Sequence, residues 1–126
     1  MLDHISLGVA NLARSTTFYD AVLSTLGYVR LWTNDGGAGY GRPGWKDEKL
    51  ALFEKGADAQ APGAGWHLAL TAPDRQSVDR FHSVALMLGA VDVGEPGLRP
   101  QYGEGYYAAF VQDWDGYKLE AVCHET

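Results

Sequence analysis

Cysteine is almost missing: Cys123 is the only one in 126 residues. A lone cysteine excludes an internal disulfide and cannot build a zinc cluster of thiolates. Basic residues are also scarce. Ten Lys and Arg stand against sixteen Asp and Glu, a formal net charge of -6. That balance argues against nucleic acid or an anionic membrane surface as partner, since either needs a basic patch. No apolar run approaches the length of a membrane span. The N-terminus lacks a basic segment followed by an apolar core, so no signal peptide is expected and a cytoplasmic protein is the default. Glycine, by contrast, is abundant at 16 residues and predicts many turns. A hydrophobic fraction of 46% is enough for one core at this length, in one domain or in two small halves that share it.

The order of elements is readable from periodicity. Asp3 to Val9 alternates, with Ile5, Leu7 and Val9 on one face and His4, Ser6 and Gly8 on the other. Asn11 is a good N-cap, and Phe18, Tyr19, Val22, Leu23 and Leu26 form a helical stripe that Gly27 closes. Strands are expected at Tyr28–Thr33, Gly39–Arg42 and Lys49–Lys55, with a turn at Asn34–Gly37 and a loop at Pro43–Glu48. The Gly-, Ala- and Pro-rich stretch Gly56–Gly65 reads as a linker. The order then repeats. Trp66–Thr71 is a strand, Pro73-Asp74 starts a helix, and Val78, Phe81, His82, Ala85 and Leu86 make its stripe up to Gly89. Ala90–Val93 reads as a short strand and Gly94–Gly105 as a loop. Tyr106–Cys123 reads as a hairpin turning at Asp113-Trp114-Asp115-Gly116, where Asp bonds its own backbone and Gly tolerates positive φ. The chain is thus expected to be an α+β fold. It has two βαβββ modules, about 1–56 and 66–126, in a single domain over 1–126 whose curved mixed sheet surrounds a central cavity, with helices outside.

His4, His67 and Glu120 each fall on the strand face opposite the main apolar residues. Taken singly, each reads as an ordinary strand residue, and Glu120 as a solvated one. Taken together, two imidazoles and a carboxylate on rigid strands form a facial set that suits a divalent metal with open positions. Those positions would take two adjacent oxygens of a substrate.

Three segments carry a resemblance over nearly the whole chain. They are His4-Ile-Ser-Leu-Gly-Val with Asn11-Leu-Ala-Arg-Ser-Thr-Thr-Phe-Tyr19, then Trp66-His-Leu-Ala-Leu, then Ala109-Phe-Val-Gln-Asp-Trp-Asp-Gly-Tyr-Lys-Leu-Glu120. The chain resembles the vicinal oxygen chelate superfamily, which includes glyoxalase I, fosfomycin-resistance transferases, extradiol dioxygenases and bleomycin-resistance proteins. The resemblance implies His4, His67 and Glu120 as ligands of one divalent ion (Zn, Ni, Fe, Mn or Co), with Glu120 or Glu54 the candidate for proton transfer. It leaves open whether Glu54 is a fourth ligand, as in glyoxalase I. A phosphonate substrate would need a cationic pocket, for which Arg99, Lys118, Tyr102 and Tyr106 are the candidates; Arg99 and Lys118 also read as solvated charges. The family usually has Pro where this chain has Trp114. Two functions are expected in competition: a metal-dependent lyase, transferase or dioxygenase acting on a small molecule, or a non-catalytic protein that sequesters an aromatic or drug-like ligand. Relatives are often dimers, so a homodimer is expected, with each site built within one chain or across two.

Overall fold

Each half of the chain lays one helix over four strands. The computed structural model describes residues 1–125 and divides the chain into two units, which meet in sequence between Ala61 and Pro62. The first unit runs β1 (Ile5–Val9), α1 (Leu12–Ser24), β2 (Val29–Thr33), β3 (Gly37–Gly41) and β4 (Leu50–Glu54). The second runs β5 (Leu68–Thr71), α2 (Arg75–Met87), β6 (Val91–Leu98), β7 (Tyr106–Gln112) and β8 (Lys118–His124). The strand orders match: β1-β4-β3-β2 and β5-β8-β7-β6. In each sheet the first and last strands of the module pair in parallel, and the other pairs are antiparallel. The fold is α+β, two βαβββ modules with mixed sheets.

Both helices start where their caps stand. The Asn11 side chain accepts from the Arg14 N–H, and the Asp74 side chain from the Ser77 N–H. Glycines in the left-handed region, Gly27 (φ +89) and Gly89 (φ +93), follow each helix, where side chains with a Cβ would be strained. In the first unit Phe18, Tyr19, Val22 and Leu23 of α1 are buried, as are Leu7, Val9, Ala38, Tyr40, Leu50 and Leu52 of the strands. In the second, Val78, Phe81 and Ala85 of α2 are buried with Val111, Leu119, Ala121 and Cys123. Leu86, expected in the stripe, is exposed instead.

The second unit departs from the sequence reading at β6. A strand continues through Leu98 where Gly94 to Leu98 reads as loop. Pro96 is tolerated because β6 is the edge strand and its register against β7 shifts twice, at Asp92/Gly94 and Gly94/Gly97. Gly94 is needed at the first shift: a Cβ there would stand 2.8 Å from Phe110 Cδ1.

The hairpin turn is anchored at both ends. Asp113 Oδ1 accepts from the Asp115 and Tyr117 N–H groups at 2.9 and 2.8 Å. Trp114 donates its indole N–H to the Leu88 carbonyl at 2.9 Å and lies over Gly89. The turn is thereby tied to the end of α2. This fixes where β8, and Glu120 with it, begins.

Candidate functional site

Strand alternation divides β8 into two faces. Leu119, Ala121 and Cys123 share the face that holds the core under α2. Glu120 and Val122 take the other face. The antiparallel register sets Phe110 of β7 opposite Glu120 and Ala108 opposite Val122. Ala108, Phe110 and Val122 form a small apolar cluster there, with Tyr106 packed against it.

Glu120 is buried within that cluster at 1% exposure, not solvated as a mid-strand glutamate alone suggests. A carboxylate out of water is costly unless its oxygens find donors. Both do. Tyr106 donates its hydroxyl to Oε2, and His67 Nε2 lies 2.9 Å from Oε1. His67 sits one residue before β5, so the strand begins later than the sequence suggests; boundaries of this kind vary by a residue or two. The β5–β8 register sets Leu68 beside Leu119 and Ala69 beside Glu120, which brings the residue before β5 to the start of β8. Burial first, then the bond to Glu120, pushes the Tyr106 hydroxyl up to about 12. It therefore remains a donor at neutral pH.

These residues line a cavity of about 580 Å³ belonging wholly to the second unit. His67, Arg99, Tyr102, Tyr106, Lys118 and Glu120, six of the eight candidates, all lie on its wall. Sequence reasoning missed Phe110, Val93, Gly94 and Gln101. Phe110 was findable, because it is the cross-strand partner of Glu120 in a hairpin of known turn. Val93 and Gly94 carried no such signal, since their segment reads as the end of a strand and a loop.

Phe110 organises the charges. The Lys118 ammonium lies 5.0 Å and the Arg99 guanidinium 5.6 Å from its ring centroid, inside the ~6 Å range of cation–π attraction. The His67 ring meets it edge-on at 5.8 Å. Arg99 is further anchored by donating to the Gly97 and Glu95 carbonyls at 2.9 and 2.7 Å. Two cations and an imidazole thus share the cavity with one carboxylate.

His4 lies in the first unit, just before β1, half exposed, with Nδ1 2.7 Å from Asp3 Oδ1. Glu54 ends β4 and accepts from the Leu12 N–H at 2.9 Å, at the N-terminus of α1. That bond offers a structural role for Glu54, since a carboxylate suits the positive end of a helix. Among the described residues, no group of three or more His, Cys, Asp or Glu side chains is gathered to hold a metal. The second unit supplies a pair. Its Nε2 and Oε1 atoms, 2.9 Å apart at hydrogen-bond distance, are donor types that hold a divalent ion and lie close enough to share one.

No helix among the described residues is long and apolar enough to cross a membrane. No curated protein matches the chain. Solved structures do. One is a glyoxalase/bleomycin resistance protein from Albidiferax ferrireducens T118, with 30% identity, TM-score 0.80, and 94% of each chain covered. A putative glyoxalase from Bacillus halodurans has 26% identity and TM-score 0.69, covering 97% of this chain and 94% of that one. The fosfomycin resistance protein FosX from Listeria monocytogenes, in a mutant complexed with Mn(II) and 1S,2S-dihydroxypropylphosphonic acid, has 19% identity and TM-score 0.70, covering 99% and 90%; at that identity it speaks for the fold alone. The profile of the Glyoxalase/Bleomycin resistance protein/Dioxygenase superfamily matches residues 1–121, and the chain belongs to that superfamily.

Proposed function

We propose that the protein is a metal-dependent enzyme acting on a small molecule that offers two adjacent oxygens. His67 and Glu120 are two ligands of one divalent ion. His4 is the third ligand that the family resemblance implies. Imidazole and carboxylate donors suit Zn, Ni, Fe, Mn or Co, and the FosX relative is complexed with Mn(II). The observation that carries this reading is the buried Glu120 carboxylate meeting His67 at 2.9 Å on the wall of a cavity.

When bound, the ion supplies a Lewis acid for the substrate oxygens. The chain's own residues do the rest. Arg99 and Lys118, steadied by Phe110, hold a negatively charged end of the substrate. Tyr102 lines the cavity beside Tyr106. Glu120, the one carboxylate among the residues lining the cavity, is engaged at both oxygens, so it takes a proton from the substrate only by first giving up the Tyr106 hydroxyl or the ion.

The test is metal analysis of protein purified without chelator. The expected result is one equivalent of metal in the wild type and its loss in His67→Ala with unchanged circular dichroism. A wild type that takes up none of the five ions on loading would sink the proposal. The second reading, a binding protein that sequesters an aromatic or drug-like ligand, is favoured by the rings of Phe110, Tyr102 and Tyr106 in the same cavity. On that reading His67→Ala would leave ligand binding intact.

A further inference from the structure

We propose that Tyr106 is a positioning residue for Glu120: by holding Oε2 it leaves Oε1 as the single oxygen presented to the metal beside His67. The inference rests on the metal reading above and goes beyond it, since it assigns the coordination mode to a residue that touches no ligand position. A carboxylate free to rotate can bind an ion through one oxygen or two. Here the two oxygens are already distinguished, Oε2 by the Tyr106 hydroxyl and Oε1 by His67. No water competes easily for either, because the side chain is 1% exposed.

The Tyr106 ring cannot readily turn away. The Tyr102 ring packs against it, tilted by 58°, at 5.4 Å, and the His124 ring meets it edge-on at 5.0 Å. Its backbone is pinned as well. The Tyr106 carbonyl accepts from the Arg99 N–H at 2.8 Å, and Tyr106 pairs with His124 in the β7–β8 register. The residue that carries the hydroxyl is therefore held both by the Arg99–Tyr102 segment and by β8. Partners of this kind fix the orientation of a ligating carboxylate and are felt in metal affinity.

Tyr106→Phe removes the hydroxyl and keeps the ring. Tyr107→Phe is the control: the neighbouring hydroxyl also bonds a carboxylate, Asp79, at 2.6 Å, so it reports the purely structural loss of such a bond. Both variants and the wild type are titrated with Mn(II) by calorimetry, and their Co(II) complexes are compared by visible absorption, which depends on coordination number. The expected result is an affinity about 10- to 100-fold weaker in Tyr106→Phe with an altered Co(II) spectrum, and no change in Tyr107→Phe. A Tyr106→Phe protein that binds Mn(II) within about twofold of wild type, with the same spectrum, overturns the inference. A wild type that binds neither ion overturns the metal reading itself and takes this inference with it.

Discussion

At the scale of single residues, space decides as much as charge. Gly39 lies under Trp32, where a Cβ would stand 2.2 Å from Nε1. Gly39→Ala must displace an indole that donates to Glu48 at 3.0 Å. Overpacking of this sort costs about 1–3 kcal/mol, so a drop of that size in urea-unfolding stability is expected. Gly94→Ala makes the matching change in the second unit, but there the displaced ring is Phe110, so ligand binding in the cavity should fall along with stability. Acid titration adds a residue-scale prediction. The bond to His82, then the Gly94 N–H, holds the Asp92 carboxyl below its ordinary 3.8, and the Ser77 backbone N–H does the same for Asp74. A carboxyl lowered by folding contributes its full stability above its unfolded value and loses it as pH falls through the folded one. Melting temperatures should therefore fall below about pH 4, and Asp92→Asn should make that fall shallower. An equally steep fall in the variant would show that the His82–Asp92 pair contributes nothing.

At the scale of elements, the chain's own chemistry is unevenly legible. The helices are readable because their information is local: an Asn or Asp cap, a stripe at helical spacing and a glycine in the left-handed region all lie within one segment. Asn11→Ala removes one such cap and should cost about 1 kcal/mol by chemical denaturation. A value near zero would mean that Glu54, which accepts from Leu12 at the same helix end, holds it alone. The last hairpin is readable for the same reason, since Asp113 and Gly116 make their turn from neighbouring residues. β6 is not, because what permits Pro96 and Gly97 in a strand is its place at the sheet edge, and that place is a property of the whole topology. The candidate site divides along the same line. Alternation identifies the face of Glu120, but its burial depends on Tyr106 and Phe110 arriving from β7 and His67 from before β5. The reading of Glu120 taken singly, as a solvated carboxylate, fails on those three contacts.

At the scale of the whole molecule, a chain of net charge -6 has gathered Arg99, Lys118 and His67 around one carboxylate in a single cavity. Dispersed charges on an acidic surface would repel an anion. A low-dielectric pocket lined with the opposite sign focuses the field instead and attracts one. Phe110 makes this arrangement stable, because the two cations lean on one ring rather than on two carboxylates that would cancel them. A small organic anion such as methylphosphonate should therefore bind by calorimetry, and bind more weakly as salt rises, since the cavity is open enough for ions to screen it. Lys118→Ala should weaken it about tenfold, roughly 1.4 kcal/mol, a modest fraction of the Coulomb energy between unit charges a few ångströms apart at a surface. Phe110→Leu tests the support rather than the charge. It keeps both cations and much of the apolar volume but removes the ring face they share, so it should weaken the anion as Lys118→Ala does. Undiminished anion binding in Phe110→Leu would mean that Arg99 and Lys118 act independently of the ring, with the backbone carbonyls of Glu95 and Gly97 sufficing to aim the guanidinium.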